Sequence, residues 1–373
     1  MRKISQKWIG IAILALTFFF PAAPSVYPGE ARPSWQAKWE ETLAAAKKDG
    51  RVVVAGPPLA GHREAIVKFQ EAFPQIRLEY SGMAPVQFEP RVQRERELGQ
   101  YLWDILITGL TATTFTVQIP AGWYDPLKPA LILPEVLDDK KWLGGFDGGF
   151  MDRGKRHTYG FALNVSRNIH VNWDFVPEAA LQKVEDLLNP RWKGKVVWND
   201  PRVRGAGNFT LTHIRKVLGD NVVKRLLVDQ EPVITQDLRQ LAEWTVRGRY
   251  PIGIGASSTD VVRFQQEGVG LNVRTLKPPS DAVTPSWGGV MLMNRAPHSN
   301  AAKVFLNWLL GREAQEAWAK LGAANSRRLD VPPGDPERAV DPKRLDKDYL
   351  NLSSEENAGL TADAIKFAQK LIP

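Results

Sequence analysis

Cysteine is absent from all 373 residues. That single absence excludes disulfides, thiolate metal sites, a cysteine nucleophile and a lipoprotein anchor together. Histidine is scarce as well. His62, His157, His170, His213 and His298 are scattered, with no H-E-x-x-H and no two at metal-ligand spacing, so surface or hydrogen-bonded structural roles are the reading. No G-x-S-x-G elbow and no Walker loop occurs. The expectation is a protein that is not an enzyme and that needs no cofactor and no metal. There is also no block of Lys and Arg and no basic patch interleaved with aromatics, which argues against a nucleic-acid partner. The formal charge is +8. Without residues 1–31 it is +6, from 46 basic against 40 acidic residues, an excess that suits anionic small ligands.

Long apolar runs are missing too, with one exception. Trp8 to Phe20 is uninterrupted and apolar, follows the positive stretch MRKISQK, and precedes prolines and small residues. A spanning helix needs roughly 20 apolar residues, so this run is short for one. Residues 1–31 read as a cleaved secretory signal peptide, with Gly29-Glu30-Ala31 as the cleavage site and Ala22-Ala23 as its rival. An uncleaved anchor helix is the alternative. The remaining chain exceeds what one core holds comfortably, since cores stop growing near ~250–300 residues, and two domains are expected.

What is present alternates. The runs RVVVAG, IRLEYSG and WDILITG read as strands, separated by helical patterns over 34–48, 62–72 and 91–98, with a Thr-rich helical start at 111–116. HTYGFALNVSRN is a long extended stretch that can carry the chain into a second lobe. The alternation then resumes with strand KVVWND, helices over 207–218 and 237–246, strand PIGIGA, a helix over 258–267 and strand GLNVRTL. After a second linker, WGGVMLMN is a strand, followed by amphipathic helices over 300–310 and 313–321. Strands alternating with helices imply βαβ units and a mostly parallel sheet. The expected division is lobe 1 from 32–158 and 285–330, lobe 2 from 159–284, and a tail from 331–373 packing on the lobes through the helix TADAIKFAQKLI.

Two strand-to-helix turns stand out. Arg204-Gly205-Ala206-Gly207-Asn208 follows KVVWND, and Ser257-Ser258-Thr259 follows PIGIGA. The first fails as a dinucleotide fingerprint, because Thr210 stands where the third glycine should fall. Its glycines still let a ligand approach the backbone at a helix start, where N–H groups are unpaired. A plain tight turn is the alternative there, and helix capping is the alternative for the hydroxyls. In open α/β sheets, ligands sit outside the carboxyl ends of the strands.

WDILITG, LLNPRWKGKVVWNDPRVRGAG, GIGASSTDVV and SWGGVMLMNRAPHSNAAKVFLNWLLGREAQEAWAKLG occur in that order. Together they resemble periplasmic substrate-binding proteins of ABC importers, in the type II class that includes ferric-binding proteins. The resemblance implies an α/β fold of two lobes that close by a hinge over one ligand in the cleft between them. It implies a monomer in the periplasm, with a small, anionic organic ligand and an importer permease as partners. Ferric members carry adjacent tyrosines just after the strand matching PIGIGA. This chain has Ser257, Ser258 and Thr259 there, and hydroxyls do not ionise to give hard anionic iron ligands. The expected ligand-binding residues are Gly56, Gly61, Thr108, Thr111, Tyr159, Asn164, Arg204, Gly205, Gly207, Ser257, Ser258, Trp287 and Arg327. Tyr159 and Trp287 would give flat apolar contact, and the arginines would neutralise charge. A ferric or iron-chelate binder, a secreted enzyme and a ligand sensor are the competing readings.

Overall fold

Short β-branched runs bounded by glycine and proline become buried strands, and two separate sheets form from them. The computed structural model describes residues 34–277, 280–345 and 349–372. The expected signal peptide, 1–31, lies outside the described residues.

The first sheet has the order Arg77–Gly82, Arg51–Gly56, Ile105–Thr108, Gly289–Met293, Tyr124–Asp125, and Tyr159–Gly160 also pairs with Gly289–Met293. Its first three strands are parallel, and Gly289–Met293 runs antiparallel to Ile105–Thr108. The second sheet has the order Val273–Thr275, Ile169–Asn172, Ile252–Ile254, Val196–Asn199, Val233–Thr235. Here too three neighbouring strands are parallel, and the next, Ile169–Asn172, is antiparallel. Each sheet thus repeats one plan, and in each the odd strand lies next to a crossing between lobes. The architecture is the expected two-lobe α/β fold.

Helices cover both sheets with apolar faces. In the first lobe Ile66, Phe69, Val304, Phe305 and Trp318 pack on Val52, Val54 and Ile105. In the second, Leu211, Ile214, Leu226 and Leu227 cover Val196, Trp198 and Ile252. Removing such buried side chains from water stabilises by roughly 1.5–3 kcal/mol each.

A small third sheet joins the lobes. Asn164–Val165 and Ala282–Thr284, the two crossings, pair antiparallel, and Leu350–Asn351 adds a parallel third strand from the tail. Beyond it the helix Ala358–Leu371 buries Ala364 and Ala368 against the second lobe's core. Gln369 Nε2 reaches the Arg202 carbonyl at 3.1 Å.

Some local expectations need correction. The helix expected over 91–98 starts at Pro85, because proline fits the first helical turn and Gln87 bonds back to the Ala84 N–H. The 111–116 start becomes a π-helical turn, Thr114–Gln118. The long extended stretch at 157–168 is two short strands rather than one. The helix Asp220–Val228 and the strand Val233–Thr235 were not anticipated.

Candidate functional site

In the second lobe the two turns singled out by the sequence come together around Asn199. This residue ends the strand Val196–Asn199, and its Oδ1 accepts the Gly207 N–H at 3.0 Å. A Cβ on Gly207 would lie 1.7 Å from the Asn199 carbonyl oxygen. Gly255 has φ +83, and a Cβ there would meet Asn199 Cβ and Gly207 N, each at 2.9 Å. The glycines therefore let the helix Ala206–Leu218 seat directly on two strand ends. At Gly207 the space that the missing side chain leaves is taken by Asn199, so the approach it permits is protein to protein. Gly205 precedes the helix at φ 155 and is exposed.

The two arginines of this turn have different partners. Arg202 forks onto Asp200, with Nε to Oδ1 at 2.9 Å and Nη2 to Oδ2 at 3.0 Å. Burial works to raise the Asp200 carboxyl, but this fork and the Arg202 N–H outweigh it and hold it below its usual value. Arg204 instead reaches across to the first lobe, where Nη1 pairs with Glu89.

Glu89 sits on the helix Pro85–Glu97, just past the end of the strand Arg77–Gly82. Burial pushes its carboxyl up, with Arg204 and then Gln118 pulling the other way. Gln118 is itself buried and accepts the Tyr124 Oη proton at 2.7 Å. Tyr124, Gln118, Glu89 and Arg204 thus form a row of polar groups from the first lobe's core to the second lobe's turn. Nothing in the sequence marked Glu89, which lies in a charged stretch like any solvent-facing helix.

The other hydroxyl-rich turn caps its helix. Ser257 Oγ accepts the Asp260 N–H at 3.3 Å, as an N-cap does. Ser258 Oγ lies 3.4 Å from His170 Nε2, and Thr259 Oγ1 donates to the Gly322 carbonyl of the first lobe at 3.0 Å. Gly61 is nearby, since a Cβ there would lie 1.9 Å from Leu321 O. Arg263 and Glu64 add a half-exposed pair between the lobes at 3.7 Å.

On the first lobe's strand ends, Thr108 and Thr111 hold hydroxyls that are buried and have no hydrogen-bond partner among the described residues. Trp287 is half-buried against the first lobe's core, and the Ser286 carbonyl before it abuts Gly109. Asn164, in the hinge sheet, accepts the Asn325 N–H at 2.9 Å, and its Nδ2 has no partner among the described residues. Buried polar groups without partners are rare in folded proteins, and each needs a water, an ion or a ligand.

Three expected residues are spent on packing. Gly56 makes room for the Tyr80 ring, 2.7 Å from where a Cβ would stand. Tyr159 is fully buried, stacked on Phe146 at 4.8 Å and flanked by Trp142 and Phe150. Burial raises its phenol. Arg327 is buried beside it, donates to the Leu143 carbonyl, and leaves Nε without a partner among the described residues. The core of the first lobe covers both side chains.

Comparison with known proteins follows the same lines. Residues 162–323 match the family model described as bacterial extracellular solute-binding protein. An uncharacterized protein of Haemophilus influenzae is 26% identical over 189 residues, 50% of this chain and 52% of its own length. The chain thus spans about half the length of that curated relative. Iron-bound HitA from Pseudomonas aeruginosa superposes with a TM-score of 0.66 at 18% identity, covering 86% of this chain and 99% of HitA. AfuA from Actinobacillus pleuropneumoniae, a periplasmic binding protein with fructose-6-phosphate bound, gives 0.64 at 18% identity over 86% and 97%. The chain has the fold of the two-lobe, type II periplasmic binding proteins, and its middle block matches the solute-binding family.

Proposed function

We propose that the protein is an extracytoplasmic solute-binding protein that captures a small, anionic organic molecule between its lobes and delivers it to an ABC importer permease. In this reading residues 1–31 are removed on export, the mature chain is a periplasmic monomer, and no reaction is catalysed. The observation that carries it is the meeting of Arg204 and Glu89 across the two lobes, each just past a strand end, with a three-stranded hinge joining the lobes and the unpartnered Thr108 and Thr111 hydroxyls at another strand end of the first lobe. Strand ends are where open α/β folds hold ligands, and two lobes on a hinge can close over one.

Iron is the second reading, because HitA is iron-bound. Against it, Ser257 and Ser258 stand after the strand Ile252–Ile254 where ferric members carry adjacent tyrosines, and Ser257 is spent as a helix cap.

Native mass spectrometry on protein from an osmotic-shock fraction tests the proposal. The expected result is a mature chain starting between about residues 22 and 32 with one small organic acid bound. Calorimetry should then show Arg204→Ala binding that molecule about ten- to a hundred-fold more weakly, the worth of one charge-assisted contact. A visible band that grows to one equivalent of added ferric citrate would move the assignment to iron. Intact Met1 on membrane-bound protein would overturn export.

A further inference from the structure

Among the described residues two ion pairs, Arg263–Glu64 and Arg204–Glu89, join the lobes, and they are built differently. Arg263 and Glu64 meet at 3.7 Å, both about half exposed, with no further hydrogen bond to either carboxylate or guanidinium among the described residues. That is what a simple surface latch requires. Glu89 is another matter. Its side chain is 15% exposed, and beside it stands Gln118, whose Oε1 accepts the proton of the buried Tyr124 hydroxyl. A carboxylate this deeply seated beside a fixed amide has little freedom to turn away, so it is an acceptor set in place before anything arrives.

This geometry bears on what can bind. An acid group that approaches Arg204 has to displace Glu89 from the guanidinium or share it. Either way a second negative charge comes within a few ångström of a half-desolvated carboxylate, where repulsion is strong. A simple anion is penalised. A molecule that brings its own ammonium group is not, because it gives Glu89 a new partner as it takes the old one.

Resting on the solute-binding reading above, we propose that Glu89 is a specificity-determining residue and that it and Arg204 together select a zwitterion, with an ammonium group on Glu89 and an acid group on Arg204. Charge-assisted contacts at both ends replace the interlobe pair one for one. Glu89 thereby rejects anions that lack a basic group.

O-phosphoethanolamine and ethyl phosphate serve as matched probes, alike in the acid and different in the amine. In calorimetry the wild-type protein should bind phosphoethanolamine at least about ten-fold more tightly. Glu89→Gln, nearly isosteric and checked by its melting temperature, should remove that preference by weakening the amine probe and strengthening the other. Three results overturn the inference: equal or tighter binding of ethyl phosphate by the wild type, a preference that survives Glu89→Gln, or no binding of either probe. Arg204→Ala separates this inference from the reading beneath it. If Arg204→Ala abolishes ethyl phosphate binding in a protein with no preference, the anion site stands and the role of Glu89 falls. If neither probe binds but an organic acid co-purifies, solute binding stands and the zwitterion falls.

Discussion

The two lobes share one strand plan and use it to different ends. In each, three parallel strands are followed by an antiparallel one next to a crossing. The second lobe spends its strand ends on close packing: Gly207 and Gly255 both abut Asn199, and the helix Ala206–Leu218 is seated by that contact. The first lobe leaves its strand ends polar, with the Thr108 and Thr111 hydroxyls unpartnered among the described residues and Glu89 largely buried beside Gln118. The lesson is that one topology can supply a rigid wall from one side and adjustable polar groups from the other. The wall presents Arg204, and the opposite side presents the group that answers it.

The sharpest way to break this comparison is to add a side chain to each lobe's glycine. Gly207→Val puts carbon where the Asn199 backbone already is, and neither the strand nor the helix can yield cheaply. The loss should be about 3 kcal/mol or more in denaturant unfolding. Gly56→Ala meets only the Tyr80 ring, which can swing, and about 1 kcal/mol is expected. Equal losses would mean that the second lobe's junction is no tighter than the first's.

Acid gives a second contrast. His62 in the first lobe, and His170 and His213 in the second, are held down to about 4 by burial. In the unfolded chain they protonate near 6.5. Between those values the unfolded state binds more protons, so stability falls as pH drops from about 6.5 toward 4 and is level above that window. At pH 5 each histidine costs roughly 2 kcal/mol. Melting at pH 7.5 and 5.0 should show the drop, and His170→Gln with His213→Gln should remove more of it than His62→Gln. A melting temperature that does not change over this range would contradict the burial of all three.

The smallest effect belongs to the surface pair. Glu64→Ala should change stability by less than about 0.5 kcal/mol, because Arg263 and Glu64 are both exposed to screening solvent. A larger loss would make that pair, rather than Arg204 and Glu89, the main interlobe contact.

Much of the fold was legible because its strands are short, β-branched and bounded by glycine, as in RVVVAG and PIGIGA. Val233–Thr235 was not, since three residues after Glu231-Pro232 are too few to show alternation. The helix Asp220–Val228 did carry a signal, with Val223, Leu226 and Leu227 on one buried face straight after Gly219. For the candidate site, the sequence pointed to the two turns that meet at Asn199 but not to their partners across the lobes. Arg204 was visible beside its glycines, whereas Glu89 lies 115 residues away and becomes relevant only when the lobes meet. Tyr159 and Arg327 look like ligand groups by residue type, yet the first lobe's aromatic core encloses them. Local pattern reveals backbone form, and long-range contact decides what a polar side chain is for.

The central claim is that one ligand is held by both lobes at once. Hydrogen exchange on the protein with and without its co-purified molecule tests it most directly. Slowed exchange is predicted together at 108–111 in the first lobe and at 204–207 and 257–259 in the second. Protection confined to one lobe, or lying away from these strand ends, would contradict a ligand site between them.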